Sequence, residues 1–179
     1  MDNPHVLNVE LAYLAGLVDG EGTITLDRNG NRRLSGVTGL QAVVLVTNTN
    51  EAIIQRTINI IKAIGVNPFV KAQEAGKYKR NKRIYWVTVS GLVKTAKVLN
   101  AIKPYLVGKI GQAQLLLDFI AHRGDARLAK GKPYGEFEMN ILAKLRALNM
   151  RGPSETEDHK HRSLRISEML NDSPTLSES

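Results

Sequence analysis

The sequence predicts an α+β domain in which helices cover one face of an antiparallel sheet. Two pairs of neighbouring segments have the composition of β-hairpins, because a basic turn joins the members of each pair. Elsewhere, apolar residues recur at the three- to four-residue spacing of amphipathic helices. The resulting element order is α-ββ-α-ββ-α-α-α. Helices in such an arrangement bury their apolar sides against one face of the sheet.

The first helix is expected over residues 8–20. Asn8 is a suitable N-cap, and Gly20 and Gly22 are expected to end the helix. The apolar stripe of this helix consists of Leu11, Leu14, Ala15 and Val18. Gly65 and Pro104 are expected to end two later helices. In all, four later helices are expected, over residues 50–64, 92–102, 109–122 and 136–149.

The predicted strands alternate in pattern or are apolar on both sides. They are expected over residues 23–27, 38–48, 69–74 and 84–90, with turns at 28–33 and 76–83. In the first strand, Ile24 and Leu26 are expected to face the core, so Thr25 and Asp27 face outward. We expect residues 1–150 to form a single domain, followed by a polar, serine-rich tail over 151–179 with a short helix at 160–170.

The chain is strongly basic and contains no cysteine. Its 179 residues carry a formal net charge of +8, which favours an acidic partner, above all nucleic acid. The lack of cysteine excludes a disulfide framework and Cys-based zinc sites, and it fits an intracellular protein. We expect no membrane association, since no segment approaches the roughly 20 consecutive apolar residues of a spanning helix. Archaeal cytoplasm and an organelle are both compatible with this composition.

Two acids stand where the first helix is predicted to end, in the segment LAGLVDGEG, residues 14–22. A helix C-terminus carries partial negative charge, so Asp19 and Glu21 are unfavourable there unless a cation is nearby. An alternative interpretation is an ordinary helix followed by a turn with a solvated acid. The combination of the motif, the element order and the positive charge favours a cation site.

The segment LAGLVDGEG resembles the signature motif of the LAGLIDADG homing endonucleases. The resemblance extends over residues 8–150 through the order αββαββα followed by further helices, and it implies that family's saddle-shaped antiparallel sheet. A single motif in a chain of this length resembles the homodimeric subclass. The resemblance thus implies a site-specific endonuclease that cuts double-stranded DNA at a long pseudo-palindromic site, leaves short 3′ overhangs and supports intron mobility.

The same resemblance implies roles for individual residues near the motif. Glu21 matches the metal-binding acid, with the Gly20 carbonyl as a second ligand, whereas Asp19 matches an acid that more often holds the helix end. Mg²⁺ is the expected cofactor; Mn²⁺ is expected to substitute, and Ca²⁺ to bind without supporting cleavage. Lys109, in KPYLVGKIGQAQLLLDFI, matches a lysine near the cleaved phosphate; the alternative is a surface lysine. Asn48, in LVTNTN, matches an amide near the attacking water; alternatively Asn48 or Asn50 caps the following helix.

Two surfaces follow from the resemblance. The motif helices of two subunits are expected to pack through small and apolar residues, namely Leu11, Ala12, Ala15, Gly16, Val18 and Asp19. One sheet face is expected to occupy the DNA major groove, where polar side chains read base edges and basic ones contact phosphates. The residues expected to contact DNA are Thr25, Asp27, Arg28, Asn29, Arg32, Arg33, Gln41, Lys71, Gln73, Lys79, Arg80, Lys82, Arg83 and Tyr85. On the last strand, Trp86 is expected in the core.

Other functions on the same fold stay open at this point. Intron maturases, which resemble these nucleases, assist RNA splicing, so RNA is an expected partner only for a maturase. A second alternative is a regulator that binds DNA without cutting it. The presence of an acid at position 21 favours the nuclease over both.

Overall fold

The computed structural model describes residues 4–29, 39–74, 82–124 and 134–150, without the side chains of residues 4–6, 28 and 29. The described helices and strands all lie in the first compact unit of the chain, which ends at Asn149. The predicted helix at 160–170 lies outside the described residues. The helices of the first unit are α1 (Pro4–Glu21), α2 (Glu51–Ala63), α3 (Leu92–Ile102), α4 (Ile110–Arg123) and α5 (Glu136–Asn149). The strands are β1 (Gly22–Asn29), β2 (Gly39–Asn48), β3 (Phe69–Gln73) and β4 (Ile84–Ser90).

The four strands form one antiparallel sheet in the order β1-β2-β4-β3. Each described helix contacts at least one strand, and the strand residues of the main core cluster share one side of the sheet, whereas the buried Val43 lies on the other side. In register, Ile24 pairs with Val44, and Val44 pairs with Val89. The α+β class and the element order are therefore confirmed. Among the described residues, no helix has the combination of length and apolar character that crossing a membrane requires.

The helix α1 begins earlier than the sequence pattern suggested. It starts at Pro4, so the expected N-cap at Asn8 is wrong and Asn8 lies within the helix. Proline is favoured at the first helical position because its missing N–H would be unpaired there and its φ angle is already helical. Toward its middle, α1 is tied to α2 by an ion pair between Glu10 and Arg56, whose closest atoms are 2.9 Å apart.

The two sides of β4 are the reverse of the prediction. Tyr85 is only 9% exposed and belongs to the core, where its hydroxyl donates to the Glu51 carboxylate over 3.1 Å. Trp86 points to the opposite side of the sheet. The expectation that Tyr85 contacts DNA and Trp86 is core is therefore wrong, because Tyr85 shares its parity with the buried Val87 and Val89.

Helix ends in this domain are built by local chemistry. Asn50 caps α2 by accepting hydrogen bonds from the Ala52 and Ile53 amides at 3.0 and 3.4 Å, and Gly65, with φ of 78°, follows its end. At the start of α5, the buried Glu138 accepts from the Gly135 amide at 2.6 Å and pairs with Arg123 at 3.1 Å. Burial raises the pKa of Glu138, but these partners outweigh it and hold the pKa below its ordinary value.

The passage from α1 to β1 depends on Gly22. A Cβ atom at this position would lie 2.7 Å from both Cα and the carbonyl oxygen of Val18, which are backbone atoms that cannot move aside. In contrast, a Cβ at Gly20 would meet nothing within 4 Å. The strand therefore starts directly at the helix end only because residue 22 has no side chain.

We predict that Gly22→Ala lowers the free energy of unfolding by about 1–3 kcal/mol, the usual cost of overpacking. Urea denaturation checks this value. Gly111→Ala is the matched control, because a Cβ at this exposed position of α4 would make only an ordinary contact of 3.8 Å with Leu148. It should leave stability unchanged or raise it by up to about 1 kcal/mol through helix propensity. Equal stabilities for the two variants would contradict the contact assigned to Gly22.

Candidate nuclease site

The site lies at the C-terminal end of α1, where the motif residues leave the helix. Val18 is fully buried, Asp19 is partly buried, and Gly20 and Glu21 are exposed. The segment 106–109, between the 3₁₀ turn Lys103–Tyr105 and α4, packs against this end. Three parts of the chain thus meet here: the end of α1, the segment before α4, and the end of β2.

Asp19 fixes the segment before α4 to the helix end. Its carboxylate accepts hydrogen bonds from the amides of Val107 at 2.7 Å and Lys109 at 2.8 Å. Partial burial raises the pKa of Asp19, but these amides, with that of Gly108 and the Lys109 ammonium, outweigh it and hold the pKa below its ordinary value. The ionised carboxylate is therefore a structural anchor, in line with the helix-end role that the resemblance implied.

Lys109 returns the interaction from the other side. Its ammonium donates to the carbonyl of Val18 at 2.9 Å and also to the carbonyl of Asp19. These carbonyls belong to the last turn of α1, which carries the negative end of the helix dipole. The two acids at the end of α1 predicted a nearby cation, and Lys109 of the same chain supplies part of that positive charge. A lysine ammonium has three donors, so one remains for a further acceptor.

Glu21 has one oxygen engaged and one free. Asn48 donates from Nδ2 to Oε2 of Glu21, while its own Oδ1 accepts from the Asn50 amide at 2.7 Å. Within the described residues, no hydrogen bond to Glu21 Oε1 or to the Gly20 carbonyl is found. From the sequence, two roles were open for Asn48: a residue beside the site, or the cap of the following helix. In the structure Asn48 contacts Glu21, and Asn50 is the cap of α2.

The donor set fits a hard divalent cation. A free carboxylate oxygen and a free helix-end carbonyl stand on adjacent residues, and Mg²⁺ prefers oxygen ligands while keeping several waters. No group of three or more His, Asp or Glu side chains that could hold an ion occurs among the residues the structure describes. Water, a second chain or DNA could supply the further ligands of an ion held by Glu21 and Gly20. The assignment of these two residues to a metal stays a prediction.

The predicted interface residues of α1 fall into two groups. Leu11, Ala15 and Val18 are buried in the core of their own chain, with Ala15 at 0% exposure. They therefore pack α1 against the rest of its own chain, and their side chains do not lie on the surface where a second subunit was expected. Ala12 and Gly16 are exposed, and a Cβ at Gly16 would meet nothing within 4 Å. Asp19 is engaged with the segment before α4. The surface of α1 that is available to a partner therefore runs through Ala12, Gly16 and Gly20.

The predicted DNA contacts are distributed over the open sheet face and its edges. Thr25 and Gln41 are partly buried on the open face, and Asp27, directly opposite Gln41 in register, is exposed. Lys71, Gln73, Lys82 and Arg83 are exposed, although Arg83 pairs with Glu74 at 3.2 Å. The side chains of Arg28 and Asn29, and all of Arg32, Arg33, Lys79 and Arg80, lie outside the described part of the chain. The sequence analysis missed that Trp86 lies on the open face of the sheet. This position could have been inferred because Val87 and Val89, which alternate with Thr88 and Ser90, indicate the side that is buried.

Comparisons with known proteins identify the family and the fold of this chain. A sequence profile of the homing endonuclease family matches residues 4–103, which is over half of the chain. The crystal structure of the homing endonuclease I-CvuI in complex with its target in the presence of calcium is 20% identical, with a TM-score of 0.62 over 92% of this chain and 97% of that chain. A comparison with curated protein sequences gives no match.

Two further solved structures share the fold. The archaeal intron-encoded homing endonuclease I-Vdi141I complexed with DNA is 15% identical, with a TM-score of 0.58 over 91% of this chain and 98% of that chain. The homing endonuclease I-TnaI is 16% identical, with a TM-score of 0.51 over 87% and 96% of the two chains. The likeness extends beyond the profile match into α4 and α5. The structural likeness shows a shared fold, and the profile match over more than half of the chain shows that this chain belongs to the homing endonuclease family.

Proposed function

We propose that this chain is a homodimeric, divalent-metal-dependent endonuclease that cuts both strands of a long, pseudo-palindromic DNA site, leaves short 3′ overhangs and supports intron mobility. The observation that carries the proposal is that neither Oε1 of Glu21 nor the Gly20 carbonyl accepts a hydrogen bond from any described residue. They lie at the exposed end of α1, one residue before the sheet begins. This position puts the acid next to the face that is available for DNA.

The chain's own residues would orient the reaction. Glu21 and the Gly20 carbonyl would hold Mg²⁺, and Mn²⁺ in its place; when bound, the ion supplies a Lewis acid and lowers the pKa of its water. Asn48 fixes one oxygen of Glu21 and so aims the other outward. Lys109, with one donor free beside the carbonyl of Asp19, would offer a hydrogen bond and a positive charge to the cleaved phosphate.

The DNA would lie on the open face of the sheet. Thr25, Asp27 and Gln41 would face base edges from β1 and β2, and Lys71, Gln73, Lys82 and Arg83 from the opposite side. Arginine, lysine, asparagine and glutamine are the side chains best suited to base edges and phosphates. The net charge of +8 supports a polyanionic partner. In a maturase or a non-cleaving regulator, Glu21 would not be needed to bind a catalytic metal. The effect of replacing Glu21 on DNA cleavage therefore distinguishes the nuclease from both alternatives.

A second copy of the chain would pack on the exposed strip of α1. Ala12, Gly16 and Gly20 succeed each other at helical spacing and lack bulk, which permits two helices to approach closely. Packing at this strip brings the two Glu21 carboxylates near each other, one for each DNA strand. Because both subunits would present the same surface to DNA, they would bind two similar half-sites, which makes the whole site pseudo-palindromic.

We predict that Gly16→Arg converts the dimer into monomers, because a long cation would occupy the close contact between the two helices. Sedimentation equilibrium measures the mass. The substitution should not disturb the fold, since the position is open and arginine is a better helix former than glycine. Ala63→Arg, at an exposed position at the end of α2, is the control and should leave the dimer intact. A dimer that survives Gly16→Arg would refute the strip as the interface.

We predict that Glu21→Gln lowers the cleavage rate by several orders of magnitude while DNA affinity is retained. The amide keeps the shape and the contact with Asn48, but it removes the charge that binds the cation. Cleavage and binding should be measured side by side on a site selected from a randomised DNA library, with Mg²⁺ and with Ca²⁺. Glu136→Gln removes an equal charge from an exposed place on α5 and should cut normally. Wild-type cleavage by Glu21→Gln would exclude the proposed metal site.

We predict that Asp19→Asn mainly destabilises the fold, by about 1.5–3 kcal/mol at neutral pH, because two amides lose a charged acceptor. Since the native pKa of Asp19 is lowered, its stabilisation is fully present above the ordinary value of 3.8 and is lost as the pH falls through the lower native pKa. Urea denaturation of both proteins should therefore show a gap that narrows below about pH 3.8. A gap that stays constant down to about pH 2 would contradict this role.

A further inference from the structure

The open face of the sheet is arranged in rows of side chains that cross several strands. The strand register places Thr23 beside Leu45, Leu45 beside Thr88, and Thr88 beside Phe69, so this central row crosses all four strands. On one side of it, Thr47, Trp86 and Lys71 form a second row. On the other side, Thr25, Val43 and Ser90 form a third. These three rows are called the central rows below.

The central rows offer an unusual set of groups for a surface that is to read DNA. Their side chains are aliphatic, aromatic or hydroxyl-bearing, and Lys71 is their one charged member. They contain no arginine, asparagine or glutamine. The amides Gln41 and Gln73 stand in the flanking rows, opposite Asp27 and Ile84 respectively. Hydrogen-bonded readout is therefore placed at the flanks, and apolar contact in the middle.

Apart from Val43, which is only 7% exposed, the apolar members of the central rows are not part of the core. Phe69 is 66% exposed, and Leu45 and Trp86 are partly buried without packing against the core cluster on the helix side. A continuous apolar surface on an otherwise charged protein marks a binding site. Around it, Lys71, Lys82 and Arg83 are exposed, and the chain is strongly basic, so the occupant is a polyanion with an apolar group.

Thymine supplies such a group. In the major groove each base pair presents hydrogen-bonding atoms, and thymine adds a C5-methyl that favours contact with aliphatic and aromatic side chains and with threonine methyls. Alternate residues on one face of a strand are about 6.8 Å apart, which is about two base-pair steps. From Val43 through Leu45 to Thr47, the central rows therefore extend over about four base-pair steps.

We infer that the central rows read thymine methyl groups, so that each half-site preferred by this chain carries thymines close to the cleavage position. The inference rests on the proposed function, since it assumes that the open face occupies the major groove. The position follows from the register: Gly22, directly after Glu21, pairs with Val46, which lies between the Leu45 and Thr47 rows. The base pairs read by apolar contact are therefore those nearest to the acid.

The test replaces thymine by deoxyuridine, which removes the methyl group and nothing else. A binding site is first selected from a randomised duplex library, and the site is then resynthesised with each thymine replaced in turn. Binding should weaken by about fourfold for each thymine near the cleavage position, the factor that burial of one methyl group gives. Binding is followed by the fluorescence of Trp86, the only tryptophan in the chain, and by a gel-shift assay.

Variants connect the effect to the central rows. Leu45→Ala should weaken binding to the thymine site and abolish the difference between thymine and deoxyuridine at one position. Thr88→Ser removes a single methyl from the same row, disturbs the fold least, and should reduce that difference. Gln41→Ala, in a flanking row, should weaken binding while the ratio of the two affinities stays the same.

The two possible failures are distinct. If no sequence is enriched and Trp86 fluorescence does not respond to DNA, the proposed function itself fails, and this inference with it. If a site is selected and Trp86 responds, but no thymine near the cleavage position can be distinguished from deoxyuridine, the proposed function stands and the inference is overturned.

Discussion

The reciprocal contact between Asp19 and Lys109 is the interaction on which the site depends. Asp19 receives backbone amides from the segment before α4, and Lys109, at the end of that segment, donates its ammonium to the last turn of α1. Each residue satisfies groups that the other element leaves unpaired, and their charges neutralise each other. Among the residues that the structure describes, the other acid, Glu21, has no cationic partner. The negative charge at the helix end is thereby concentrated at a single residue.

This contact also explains why a lysine can stand at the start of a helix. A cation is unfavourable at a helix N-terminus, and Lys109 precedes α4 directly. Its side chain, however, extends to the C-terminal end of α1, where a cation is favoured. The unfavourable interaction of the Lys109 charge with the start of α4 is therefore offset by its favourable interaction with the end of α1. Residue identity at this position therefore reflects a helix that is ninety residues away in the sequence.

The sequence predicted those parts of the fold whose pattern is local. The periodicity of α2, α3 and α5 and the alternation in β1 gave the elements almost to the residue, because burial on one side leaves a readable spacing. The sides of β4 were assigned wrongly from the adjacent aromatic residues Tyr85 and Trp86. The alternation of Val87 and Val89 with Thr88 and Ser90 indicates the covered side, and the burial of both valines confirms it. In the candidate site, the motif indicated Glu21. Its contact with Asn48 and the contact of Asp19 with Val107 depend on long-range packing, which no local pattern encodes.

The close approach of Gly22 to Val18 has a consequence for how such a protein can change over generations. Because β1 starts at the helix end without a connecting loop, the Glu21 carboxylate has a fixed position relative to the first strand of the sheet. Substitutions on the outer side of the strands can then alter which sequence is bound without shifting the acid. Under the proposed function, a lineage whose target sequence changes can therefore acquire a new recognition surface while the position of its acid is kept.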